Sequence, residues 1–324
     1  MTDINREKPV EYTQEAPEAS LSPGIIRTRE SMDETVNKPL SALLKEKLDG
    51  IAQVNVIETG NPNRETLRID VTDYERWNSR ETAETIVPIL APVLQQFYED
   101  SPEHPFDMQK DVIDDPDGSD YCLCDQLFLT ANNQQADGFA MLKKLGDTPK
   151  DHVPVILLQL ISIEAGAHYK GSGKALCNLI RDQNPNAALV SATHTPAMVS
   201  VIRGIQARDE HVYFCGDRID EQDDPDGDRY HRIREDAEEM YRDYLRADPD
   251  WYNNIPHYDT GDLQTVNYGS ASMPWTDEHV WNSDDTSRAA DVFRKLRRWV
   301  VENGHQDQAI FGMLTSIPAQ SVTK

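Results

Sequence analysis

The stretch from Glu164 to Lys174 reads E-A-G-A-H-Y-K-G-S-G-K and brings a carboxylate, an imidazole, glycines at 171 and 173, a hydroxyl and a lysine within eleven residues. Glycines spaced this way let an anionic group approach backbone N–H donors without meeting a Cβ, and Lys174 beside them adds a cation. The chemistry open to such a turn is the holding of a phosphate. Glu164 at the start of this stretch, and His194 further along, are titratable side chains, although a solvated acid at a strand end and a hydrogen-bonded structural histidine account for them equally.

Such a turn needs rigid elements on both sides. Val153 to Ile163 (VPVILLQLISI) is an apolar, β-branched run of the length of a buried strand. After Gly173 the chain resumes as KALCNLIRD, with Ala175, Leu176, Leu179 and Ile180 at helical spacing. Strand, glycine turn and helix in that order aim the free N–H groups of the first helical turn back into the loop.

Residue types exclude two common phosphate sites. A nucleotide-binding P-loop ending in Gly173-Lys174 needs glycine at 168 and a hydroxyl at 175, where the chain has His168 and Ala175. A dinucleotide fingerprint needs glycine at 176, which is Leu176. The repeated Asp-Asp-Pro-Asp-Gly at 114–118 and 223–227 lacks the acids a calcium loop requires and reads as turn chemistry.

The chain of 324 residues carries a net charge of −25, which opposes nucleic acid and anionic membrane as partners. Its four cysteines are too irregularly spaced for a disulfide framework or a zinc site, so buried thiols in a reducing cytoplasm and no metal are expected. No apolar run reaches the ~18 residues of a membrane span.

Residues 1–45 are polar and acidic, the composition of a disordered tail. Ile51–Ile57 and Leu67–Val71 alternate around a Gly-Asn-Pro-Asn turn as a hairpin. The helix after Ser79 carries Pro88 and Pro92, which predict a bend or a late start. Tyr121–Thr130 and Ala136–Leu145 form a second hairpin. Beyond the glycine turn, Ala187–Thr193 is a strand, Pro196–Ile205 a helix and His211–Cys215 a strand. A charged helix, the short strand Leu263–Tyr268, the helix Thr286–Val301 and the strand Ala309–Thr315 complete the chain.

This order resembles the GNAT superfamily of acyl-CoA-dependent N-acyltransferases, whose signature is R/Q-x-x-G-x-G/A at the end of the fourth strand, then x-x-L in the helix. His168-x-x-Gly171-x-Gly173 with Leu176 matches three of the four marked positions, with His168 where the family has Arg or Gln. Ala136-Asp137-Gly138-Phe139-Ala140 resembles the start of the family's third strand. The segment SATHTPAMVSVIRG resembles the next strand and helix, with His194 and Val201 at the places of the family's Asn and Tyr.

The resemblance implies an α/β (α+β) protein with a mixed, mostly antiparallel central sheet flanked by helices and a helical C-terminal extension. The acyl-CoA-binding core would span 46–216, and 217–324 would pack on it, over the acceptor end of a cleft or as a homodimer surface. Acetyl-CoA or another acyl-CoA would be co-substrate, with its pyrophosphate on His168, Gly171, Ser172, Gly173 and Lys174. Its pantetheine arm would pair with the strand at Ile161 and Ile163, and the thioester would enter between that strand and Ala187–Thr193. The acceptor would be a small-molecule or peptide amine, with the acidic surface favouring cationic ones. Glu164 and His194 are the catalytic candidates, and Tyr169 or Tyr213 would have to replace the missing Tyr. Gln159 shares the phase of Ile161 and Ile163 but is no base. Side chains at 171 or 173 are expected to strain the backbone or intrude on the ligand.

Overall fold

The computed structural model describes residues 39–57, 65–94, 124–132, 135–163, 172–205, 210–220, 227–247, 255–267, 275 and 284–319. These contain β1 (Ala52–Val56), β2 (Glu65–Val71), β3 (Gln126–Asn132), β4 (Gln135–Asp147), β5 (Pro154–Ile163), β6 (Ala188–Thr193), β7 (Glu210–Phe214), β8 (Asp217–Arg218), β9 (Thr265–Asn267) and β10 (Ile310–Pro318). The helices are α1 (Leu40–Lys47), α2 (Tyr74–Trp77), α3 (Arg80–Leu94), α4 (Ser172–Gln183), α5 (Pro196–Ile205), α6 (Gly227–Arg246) and α7 (Arg288–Glu302).

All ten strands share one sheet in the order β1-β2-β3-β4-β5-β6-β10-β7-β8, with β9 also paired to β10. Neighbours are antiparallel except β5 and β6. The fold is thus α/β with a mixed, mostly antiparallel sheet flanked by helices. Both expected hairpins form, β1 with β2 and β3 with β4. The last strand does not lie on an edge: β10 sits between β6 and β7. Its composition suits that place, because Met313 and Ile317 are buried on one face while Ile310 and Leu314 are buried on the other.

Helices cover both faces. Leu176 and Ile180 of α4 pack on Leu142, Ile156, Leu158 and Leu189, and α5 and α7 continue that layer over Val212, Phe214 and Leu314. On the opposite face α3 and α1 cover Leu67, Ile69, Leu129 and Phe139, while Tyr230, Ile233, Ala237 and Tyr241 of α6 cover Val155, Leu157, Ala188 and Val190.

Two expectations need correcting. Helix α3 starts at Arg80, directly after Ser79, and continues through the exposed Pro88 to Leu94, so the late-start alternative is not met. A tail ending at 45 cuts through α1, whose Leu40 and Leu44 are fully buried and whose first amide donates to Glu65 Oε2 at 2.6 Å.

Candidate functional site

The site begins with an irregularity in β5. Met141 of β4 pairs with Leu160 and Leu142 pairs with Leu158, so Gln159 is an extra residue in β5. A bulge of this kind bends its strand and raises the local twist. On the other side of β5 the parallel ladder with β6 covers only Val155↔Ala188, Ile156↔Leu189 and Leu157↔Val190. Both strands continue, β5 to Ile163 and β6 to Thr193, outside that register. The sheet therefore opens immediately beyond the bulge.

The bulge also changes which way side chains point. Simple alternation puts Gln159 on the face of Ile161 and Ile163, and this is corrected. Ile161 and Ile163 pack with Leu176 on the α4 face, whereas Gln159 Nε2 donates to Tyr244 Oη of α6 at 3.0 Å on the opposite face. One inserted residue shifts the phase of everything after it.

Helix α4 begins at Ser172, so Ser172, Gly173 and Lys174 form its first turn. N–H groups at this end of a helix have no partner within it, and the helix dipole makes the place attractive to anions. No carboxylate occupies that first turn, although the chain carries a net charge of −25. Lys174 is exposed. A Cβ built on Gly173 would have Val201 Cγ2 at 3.7 Å and Ile163 Cγ1 at 3.9 Å as its nearest neighbours, which places Gly173 between the end of β5 and α5. These are ordinary contact distances in helical backbone, so the expected strain at 173 is not there. Strand β4 meets tighter limits, since a Cβ on Gly138 would lie 2.7 Å from Ile163 Cδ1 and 2.9 Å from Thr130 Oγ1. Gly138 lets Ile163 close over β4.

Of the residues singled out in the sequence, Ile161, Ile163, Ser172, Gly173 and Lys174 are thus brought to one end of β5. Glu164, His168, Tyr169 and Gly171 lie outside the described residues. His194 follows β6 and is 5 % exposed, its ring stacked on Phe311 at 4.4 Å and edge-on to Trp275 at 5.8 Å. Tyr213 does not reach the opening. It lies on β7, with β6 and β10 intervening, roughly 14 Å from β5 at the usual strand spacing. There it is buried under α6, with the Arg234 guanidinium 5.7 Å from its ring centroid.

Cys177, one turn into α4, is no nucleophile: burial pushes its thiol up to about 12, more than the nearby Arg181 can offset. Arg181 instead fixes the helix. Its guanidinium, 4 % exposed, donates to Ala187 O and Ser316 O and pairs with Glu210 of β7, Nε to Oε1 being 2.8 Å. Ser316 Oγ of β10 also donates to Glu210. One buried ion pair therefore ties α4 to β6, β10 and β7. Thr195 caps α5, accepting from Met198 N at 3.4 Å, and Pro196 occupies the first helical position.

Sequence reasoning set Gln159 aside as no base and missed Tyr244. The available signal was a lone polar residue inside an apolar strand. Among the described residues no group of three His, Cys, Asp or Glu side chains could hold a metal ion, and no helix is long and apolar enough to cross a membrane.

No protein-family model matches the chain, nor does any curated protein. Among solved structures, it is similar to an aminoglycoside acetyltransferase from an uncultured soil metagenomic sample in complex with sisomicin. Identity there is 7 % over 49 % of this chain and 90 % of that one, with a TM-score of 0.29. It is also similar to an acetyltransferase from Thermus thermophilus, at 18 % identity over 39 % and 83 % of the two chains and a TM-score of 0.28. An aminoglycoside N-acetyltransferase in complex with CoA matches at 18 % identity over 47 % and 90 %, with a TM-score of 0.27.

Proposed function

We propose that this chain is an N-acyltransferase that moves an acyl group, most simply acetyl, from coenzyme A to an amine. The observation that carries the reading is the opening between β5 and β6 directly behind the first turn of α4. A phosphate on the amides of Ser172, Gly173 and Lys174 leaves a thioester arm free to run along the outer half of β5 into the gap. Coenzyme A supplies an acyl carbon on a good leaving group. The chain's work is to hold that carbon in the gap, admit an amine, take a proton from its nitrogen as the C–N bond forms, and return one to the thiolate as the C–S bond breaks. Glu164 and His194 are the titratable residues proposed for these transfers. The residues from 46 to 216 would supply the coenzyme A site, with β10 closing the sheet behind it.

Release of thiol from acetyl-CoA, followed against spermidine, an aminoglycoside and a peptide with a free amino terminus, tests the activity. Amine-dependent release is expected. A second reading, a domain that binds acyl-CoA without turnover, is favoured by two positions: Tyr213 is two strands from the opening and His194 is packed against Phe311. Saturable coenzyme A binding with no release from any acceptor would select it.

A further inference from the structure

The carboxamide of Gln159 is half satisfied. Its Nε2 donates to Tyr244 Oη at 3.0 Å, while among the described residues no donor reaches its buried Oε1. A buried carbonyl oxygen left without a donor is costly, and where one persists it calls for a partner. This one belongs to the bulge residue at which β5 leaves the β6 register, so its position is the mouth of the gap.

The two faces divide the work. The first turn of α4, where a phosphate would sit, belongs to the layer on one face, and Gln159 reaches α6 on the other. A molecule meeting the acyl carbon opposite the coenzyme would therefore arrive on the α6 side. Toward the same end of α6, Arg242 and Leu245 line with Thr265, Val266 and Ile310 a cavity of about 120 Å³, which Gln159 and Tyr244 do not themselves line.

We propose that Gln159 and Tyr244 form the acceptor-recognition pair of the acyltransferase, with Gln159 Oε1 accepting an N–H of the incoming amine and Tyr244 holding the carboxamide in place. The inference rests on the proposed activity. A neutral amide oxygen suits the task better than a carboxylate, because a buried carboxylate would favour the ammonium form, which has no lone pair for attack.

The test uses calorimetry on the full chain. Coenzyme A is titrated first. Spermidine, an aminoglycoside and a free peptide amine are then titrated into the coenzyme A complex, which cannot turn over. Gln159→Leu is expected to bind coenzyme A and melt as wild type does, while affinity for the best-bound amine falls at least tenfold. Tyr244→Phe, which keeps the ring, should weaken the same amine by a smaller factor. Gln159→Glu should bind a cationic amine more tightly yet move the rising limb of the pH–rate profile to higher pH. Unchanged amine affinity in Gln159→Leu overturns the inference, as does a wild-type complex that binds none of the three amines. A lower Tm in both Gln159→Leu and Tyr244→Phe with amine affinity intact would also overturn it, assigning the pair to anchoring α6. Loss of coenzyme A binding by the wild type would instead refute the parent reading.

Discussion

Replacing Arg181 with methionine should be among the most damaging single changes in the chain. Methionine fills much of the aliphatic volume but leaves Glu210, 1 % exposed, with its carboxylate stranded at a former N–O distance of 2.8 Å, and frees the carbonyls of Ala187 and Ser316. Breaking a buried pair from one side costs about 3–5 kcal/mol, most of it the penalty of the remaining charge. Removing the charge as well, in Arg181→Met with Glu210→Gln, should return part of that loss, because a carboxamide can still take the Ser316 hydroxyl. Urea unfolding of wild type, both single variants and the double variant gives the coupling directly. The double variant should be more stable than Arg181→Met alone by about 1–2 kcal/mol. Additive losses, or a single-variant loss below about 1 kcal/mol, would refute the assignment of the pair as the tie between α4 and the sheet.

Two further changes probe the frame around the site. A Cβ on Gly312 of β10 would sit 2.5 Å from Cys215 Sγ and 2.6 Å from Phe214 Cε2, so Gly312→Ala should lower stability by about 1–3 kcal/mol in denaturant titration. Burial pushes the Asp125 carboxyl up, but Lys143, the Tyr74 hydroxyl and the Lys144 amide together outweigh it and hold the group below its ordinary value. Its stabilisation is therefore present above the unfolded carboxylate range and lost as pH falls through the lower folded value. Asp125→Asn should cost about 1–2 kcal/mol at pH 7 and progressively less as pH falls below the ordinary carboxylate range, as read from melting curves at successively lower pH.

Local pattern made much of this legible before any coordinates. Alternation located both hairpins, the apolar run located β5, and glycine followed by helical spacing located the start of α4. What escaped depends on partners distant in sequence. The bulge at Gln159 exists because β4 pairs on both sides of it, and no feature of VPVILLQLISI alone fixes that register. The central place of β10 is likewise a choice between partners made by burial on both faces. The start of α3 was not fixed by its prolines, because whether a helix carries a proline turns on which side faces water. Gly173 was misjudged in a different way: glycine suggested strain, whereas its backbone is ordinary helix and only its missing side chain matters.

Gly173 offers the most direct measurement of coenzyme A binding by this chain. Valine at 173 meets no backbone strain and no neighbour nearer its Cβ than 3.7 Å, so the fold should tolerate it, with a stability change within about 1 kcal/mol. If the first turn of α4 and the gap behind it receive coenzyme A, that side chain occupies the ligand's space. Calorimetric titration of coenzyme A into wild type and Gly173→Val, with melting curves for both, should show saturable binding by the wild type and at least tenfold weaker binding by an equally folded variant. A folded Gly173→Val that binds coenzyme A as the wild type does, or a wild type that binds none, would contradict the account.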